Sequence, residues 1–571
     1  MSKIGYNKGL SARNNVATFL SEHAVNFPER PALSWVPFEK MIPDDSSPKF
    51  EHESISFKEL NHVVSVLGAS FKKLGISKGD RVIVFIPMSL HLYTAMFALQ
   101  KIGAIPVFLD GWARRDQMSI ATQVAAPTAI FSVEKAFQHL SQVPEINDIK
   151  TKIVAGPAKG NYTASLEDLI KTQEYCEIEP VEKEDTALIT FTTGSSGTPK
   201  GADRTHRFLA AQHYALDRHL PYKADDKDLP AFPIFSLNNL AAGVQTVLPA
   251  IDVATPGNDD AKILFLQITS AEVSCVTLSP SLLNGLSDYC LKNEFIIPHL
   301  RRVITGGAPV GRDDMIKIKK VAPNAEILVL YGSTEVEPMA HIEANEMINQ
   351  KSRAHEDSEW VDEGVNVGLF DEGLQVKFLK IIKGSVEISS KRDWDNVTVR
   401  EGEIGELIVA GEHVCRNYFN NKEAFKSSKI LDENGTVWHR TGDLGRRDVN
   451  KQLWLVGRVH NAIDRAGTYC FPVRSEMVLK KLPFVAKAAY LGMPDEELGE
   501  STYCIICPKD LSDLKNEILL GSHRDEIKRI MEKNGIIYDE IVFTSSIPMD
   551  PRHHSKVEYG ALRDELISRK V

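Results

Sequence analysis

At 571 residues the chain has room for about two to four domains of roughly 150 residues each, and 43% hydrophobic with 25% charged side chains is the make-up of a soluble protein with a sizeable core. A formal net charge of -10, with no basic block longer than a few residues, excludes a nucleic-acid footprint built on clustered Lys and Arg. Seven scattered Cys exclude a secreted disulfide scaffold and favour a reducing compartment.

In chain order, "MSKIGYNKGLSARNN" (1–15) has no apolar core of a signal peptide, so a cytoplasmic location is expected. "VIVFIPMSLHLYTAMFAL" (82–99) is the longest apolar stretch, but Pro87, Ser89 and His91 interrupt it. It reads as a buried strand entering a helix over 88–102, and no membrane span is expected. Further buried-type strands follow at 104–110, 151–156, 186–191, 273–278, 301–307 and 326–332, with helical patterns between them. Continuous apolar strands separated by helices predict parallel strands covered on both faces, the layered α/β class.

From about 364 to 458 short alternating strands with Gly, Asn and Asp turns predict an antiparallel β subdomain, with a distorted barrel as one form of closure. Beyond Arg458 the pattern returns to mixed α and β, enough for a small separate domain over 459–571. The expected organisation is a large α/β N-terminal domain over 1–458, with the β-rich subdomain inside it, and a small α+β C-terminal domain. "CIIC" (504–507) reads as strand, where positions three apart face opposite ways, so no redox or metal pair is expected. His553 and His554 are adjacent, without the spacing of a zinc site.

Chemistry concentrates in "TTGSSGTPKG" (192–201), a turn after the predicted strand 186–191. At the carboxyl ends of strands in open α/β sheets, such turns bind ligands. Thr193, Ser195 and Ser196 supply hydroxyl donors, Gly197 lets backbone N–H groups approach an anion, and Lys200 adds a charge. Pro199 precedes that lysine and no Ser or Thr follows it, so the run is not a Walker A loop. Phosphate cradle and solvated loop both remain open from this stretch alone.

The run resembles the signature of the adenylate-forming superfamily, which includes acyl-CoA synthetases, peptide-synthetase adenylation domains and luciferases. Its companions recur in that family's order: "GDRV" (79–82), "KIGAIPV" (101–107), "GGAP" (306–309), "YGSTE" (331–335), "GELIVAGEHVCRNYFNN" (405–421), "HRTGDLG" (439–445), "GRVHNAI" (457–463) and "SKVEYGALR" (555–563). The resemblance implies ATP and Mg²⁺ as cosubstrates and an acyl-AMP product. It assigns Thr193, Ser195, Ser196, Gly197 and Lys200 to the β- and γ-phosphates, and Glu335 to magnesium. Thr334 is assigned to the α-phosphate, Tyr331 to the adenine face with Gly307 and Ala308 on its other side, and Asp443 with Arg458 to the ribose. Lys556 becomes the catalytic lysine, delivered by a mobile C-terminal domain that swings about a hinge at His460.

Two stretches bear on the second half-reaction. "AFPIFSLNNLAAG" (231–243) lacks the His that many acyl-CoA ligases carry there, and the lysine motif has the form D-x-R-H-x-x-K over 550–556. With "YGSTEVEPMA" (331–340), these are most similar to the β-lactone synthetases of long-chain olefin biosynthesis. That resemblance implies a β-hydroxy fatty acid substrate whose own hydroxyl displaces AMP, with CoA possible but not favoured. Phe232, Phe235 and Leu237 are candidate lining for an acyl pocket. Alternatives are a fatty acyl-CoA ligase or carrier loader, and a non-catalytic acyl or nucleotide sensor. Pathway enzymes are possible partners, and the sequence is silent on oligomeric state.

Overall fold

The apolar runs become strands with both faces buried. In Arg81–Phe85, Val82 and Val84 enter one core with Phe71, Tyr93 and Phe131, while Ile83 enters another with Val107, Ile130 and Ile189. This period-two division is what a helix-covered parallel sheet demands. The computed structural model describes residues 14–37, 50–109, 111, 113–192, 198–253, 257–349, 364–549 and 557–570. Among these residues three sheets form.

The first has seven strands, in the order Ala164–Ser165, Thr151–Ala155, Ala129–Val133, Arg81–Phe85, Ile105–Phe108, Thr186–Thr192 and Lys200–Thr205. All neighbours are parallel except the last two, which form a hairpin ending on the pair Thr192–Lys200. The predicted helix after Arg81–Phe85 is Leu90–Lys101, and no helix among the described residues is long and apolar enough to cross a membrane.

The second sheet carries the parallel strands Lys227–Pro230, Gln245–Val247, Cys275–Leu278, Arg302–Gly306 and Glu326–Ser333. Glu326–Ser333 then reverses into Val336–Glu343. Along that antiparallel edge come Val365–Phe370, Gln452–Arg458, Val437–Arg447, Gly405–Ala410 and Gln375–Leu379, all antiparallel. The strands of 364–458 therefore extend the large sheet instead of closing a barrel. The reversal at residues 334–335 leaves a free antiparallel edge for them, joined through Ala340–Phe370 and His341–Leu369.

Sheet membership changes between Arg458 and Ile463, across the single 3₁₀ turn Val459–Asn461. Beyond it Ile463–Arg465, Thr468–Cys470, Val485–Asp495, Gly499–Pro508 and Glu540–Phe543 form a five-stranded sheet with the helices Pro472–Leu479, Glu517–Lys533 and Tyr559–Lys570. Cys504 packs with Tyr490 and Ile527 on one face, and Cys507 with Leu562 on the other. The two thus face opposite ways, as the strand reading of "CIIC" predicts.

Candidate active site

Strand ends of the two large sheets meet around a cavity of 2010 Å³, well above the usual range of about 300–1,000 Å³ for small-molecule sites. Its wall includes Lys200, Gly307, Thr334, Glu335, Arg458 and His460 from the sequence-derived set. Tyr331, Ala308 and Asp443 are not part of that wall. Thr193, Ser195, Ser196, Gly197, Lys556, His553 and His554 lie outside the described residues. The two feet of the phosphate turn, Thr192 and Thr198, both reach the cavity.

Thr334 and Glu335 owe their position to a two-residue hairpin turn. Ser333 pairs with Val336, so these two residues alone make the hairpin turn, and a register shift falls at Gly332. Such irregularities commonly aim side chains at sites. The Thr334 carbonyl accepts from buried Arg204, at 3.2 Å from Nε and 2.7 Å from Nη2. The Glu335 carbonyl accepts from the Cys415 N–H at 2.7 Å.

The Glu335 carboxylate is held by groups the motif reading did not assign. Tyr418 donates its hydroxyl to Oε1 at 2.7 Å. The Lys429 ammonium lies 5.2 Å from the Tyr418 ring centre and donates to the Cys415 carbonyl. Burial works against ionisation of Glu335, but the Lys429 ammonium and the Tyr418 hydroxyl hold the carboxyl below its ordinary value. Burial itself drives His439 down to about 3 and so keeps its ring neutral. Lys200 donates to Ser428 Oγ at 3.1 Å, and burial lowers its pKa against the pull of Glu335.

Asp443 sits on a second irregularity. The register of Gly405–Ala410 against Val437–Arg447 slips between Glu406 and Ile408, and Gly442 takes φ 71°, a conformation open to glycine. The slip turns Asp443 toward Arg458, its cross-strand partner, whose Nε lies 2.9 Å from Oδ1. Tyr331 donates its hydroxyl to Oδ2 at 2.6 Å. Burial and the neighbouring carboxylate raise the Tyr331 phenol well above its ordinary value, so it stays a donor. Among the described residues each Asp443 oxygen thus has one side-chain partner, which leaves an acceptor position on each for a ligand hydroxyl.

Gly306 and Gly307 serve opposite purposes. A Cβ on Gly306 would come within 2.2 Å of the Leu330 carbonyl oxygen, its neighbour in register. Gly307 takes φ 80° and has nothing within 4 Å of its missing Cβ, so its backbone faces open space. We expect Gly306→Ala to lower stability by about 1–3 kcal/mol through backbone displacement. A thermal unfolding midpoint equal to that of the parent protein would contradict the close approach.

His460 occupies the turn between the sheets, at the cavity rim. Desolvation, helped by the Arg458 cation, lowers its pKa from the ordinary imidazole value, so its ring is neutral at pH 7. Phe232, Phe235 and Leu237 all line the cavity, and Met88, Leu92 and Phe108 continue its apolar wall. Glu337 reaches the same wall; burial pushes its carboxyl up to about 7 against the pull of Arg204. Arg204, Glu337, Tyr418, Lys429 and His439 were all missed by motif reading, although only Arg204 and Lys429 lie outside the quoted stretches.

The fit of this site to nucleotide and metal rests on the donor set. Among the described residues no three His, Cys, Asp or Glu group into a resident metal centre. One ionised carboxylate, Glu335, with only Oε1 engaged, suits a magnesium ion that keeps most of its ligands from phosphate and water. The open Gly307 backbone and the free acceptor positions on Asp443 suit the nucleoside.

A family model described as "AMP-binding enzyme" matches residues 20–419. The chain belongs to this family. It is an adenylate-forming ligase, of the class that uses ATP to activate acids as acyl-AMP. The olefin β-lactone synthetase of Xanthomonas campestris pv. campestris is 27% identical over 523 residues, covering 88% of this chain and 89% of that protein. 4-Coumarate–CoA ligase 5 of Oryza sativa subsp. japonica is 25% identical over 515 residues, 87% of each chain. The solved amide bond synthetase McbA from Marinactinospora thermotolerans shares the fold, with a TM-score of 0.74 at 19% identity, over 96% of this chain and 99% of that one.

Proposed function

We propose that this AMP-binding enzyme activates a β-hydroxy fatty acid and closes it to a β-lactone. The observation that carries the reading is one continuous cavity that joins Thr334 and Glu335 to an apolar wall on both sheets, with volume for a long acyl chain beside a nucleotide. The likeness to the olefin β-lactone synthetase over nearly the whole chain supports the choice of product.

In the first step a carboxylate oxygen of the acid attacks the α-phosphorus of ATP, and the bond to pyrophosphate breaks. The residues proposed to orient this displacement are Thr334 at the α-phosphate and Lys200, Thr193, Ser195, Ser196 and Gly197 at the departing phosphates. Asp443, Arg458, Tyr331, Gly307 and Ala308 would position the nucleoside, and Lys556 would steady the carboxylate and α-phosphate. Magnesium brought with the triphosphate would be held at Glu335, where it supplies neutralisation of the phosphate charge. In the second step the substrate's β-hydroxyl oxygen attacks the acyl carbon, the bond to AMP breaks and the hydroxyl proton is released. Proximity supplies most of the advantage, because nucleophile and electrophile belong to one bound molecule. The N-terminal domain 1–458 would hold both substrates, and the domain 459–571 would pivot at His460 between the steps.

A second reading, transfer of the acyl group to CoA, is supported by the likeness to 4-coumarate–CoA ligase. Mass spectrometry of the products from a 3-hydroxy fatty acid and ATP separates the two. We expect a product 18 mass units below the acid and formed without CoA, since lactonisation removes one water in net terms. A thioester formed only when CoA is added would replace the first reading by the second.

A further inference from the structure

Glu337 is a carboxylate in the wall of the same cavity that the adenylation chemistry does not use. It stands on Val336–Glu343, two residues beyond Glu335, while Val336 between them turns into the core. Gly332 across the hairpin makes room: the position of a Cβ there is 3.1 Å from both Cβ and Cγ of Glu337. The neighbouring cation, Arg204, attracts the Glu337 charge but commits Nε and Nη2 to the Thr334 carbonyl. Among the described residues nothing hydrogen-bonds to the Glu337 carboxylate, although it lines the cavity beside Thr334.

A carboxylate in a largely apolar wall without a donor is costly, and a ligand that brings a donor removes the cost. Thr334 marks where the acid's carboxyl group reacts, so the ligand's donor sits on a carbon close to that carboxyl and not on the tail. We propose that Glu337 is a specificity-determining residue that accepts a hydrogen bond from a hydroxyl on the acyl chain near its carboxyl end. This rests on the reading of the site as one that activates hydroxylated acids. Held this way, the hydroxyl is fixed beside the carbon it later attacks.

ATP–pyrophosphate exchange tests it with three acids of one chain length: 3-hydroxytetradecanoate, 3-methoxytetradecanoate and tetradecanoate. The expected result is that the parent enzyme favours the hydroxy acid over both others by about tenfold or more in kcat/KM, chiefly through KM. Glu337→Leu brings the ratio to about one. Glu337→Gln, whose amide oxygen still accepts, retains most of the preference, which a purely structural loss would not allow. A Glu337→Leu enzyme that keeps the parent ratio overturns the subsite, and so does a parent enzyme that exchanges all three acids equally. No exchange by the parent enzyme with any of these acids overturns the underlying reading of hydroxy fatty acid activation together with it.

Discussion

Glu335→Gln is expected to reduce ATP–pyrophosphate exchange by about two to three orders of magnitude, the loss typical when one charge-stabilising group is removed from a preorganised site. The substitution keeps the shape of the side chain and an oxygen to accept from the Tyr418 hydroxyl, so the hairpin turn at 334–335 survives. What disappears is the charge. Burial alone would disfavour that charge, and Lys429 and Tyr418 hold the carboxyl below the ordinary 4.5. A folded pKa below the unfolded one stabilises the fold fully above about 4.5, and that stability is lost as pH falls through the folded value. Across pH 5 to 9 the carboxylate therefore stays ionised, and the pH profile of exchange should carry no Glu335 transition. If Glu335 served only the fold, the variant would show a lower unfolding midpoint with exchange intact. That result would remove its assignment to the metal and phosphates.

Most of the fold was legible because its signals are local. The apolar runs at 81–87, 151–156 and 326–332 are too short and too continuous for amphipathic helices, and they appear as Arg81–Phe85, Thr151–Ala155 and Glu326–Ser333. The joining of the 364–458 strands to the parallel sheet was not legible. It depends on two pairs, Ala340–Phe370 and His341–Leu369, and alternating strands carry no mark of which edge they will meet. The site divides in the same way. Ordered motifs brought out Glu335, Asp443 and Arg458, which stand at a tight turn and at a bulge where spacing along the chain fixes geometry. Lys429 and Arg204 were missed because they act from a distance in sequence. Arg204 reaches a carbonyl 130 positions away, and a lone Lys or Arg in a sequence is most often a solvated one. Glu337 was in view within "YGSTEVEPMA", but only its place on the cavity side of the strand separates it from an exposed acid.

Lys556→Ala is the companion test, because it probes the small domain instead of the large one. The segment before and after it is anchored: Met549 and Val557 form an antiparallel bridge, and Tyr559 donates to Glu476 at 2.6 Å on the helix Pro472–Leu479. If Lys556 serves the same site as Glu335, more than 200 residues earlier in the chain, the domain 459–571 has to bring it there, and the turn Val459–Asn461 is the proposed pivot. On this account the lysine serves the first half-reaction, where a cation beside the carboxylate and the α-phosphate stabilises charge that develops only during transfer. Exchange should fall by about two to three orders of magnitude. Product formation from acyl-adenylate supplied ready-made should fall far less, since that step no longer needs the lysine at the phosphate. Equal losses in both assays would place Lys556 in the second step as well. Unimpaired exchange would remove it from the chemistry, and the domain motion would then lose its reason.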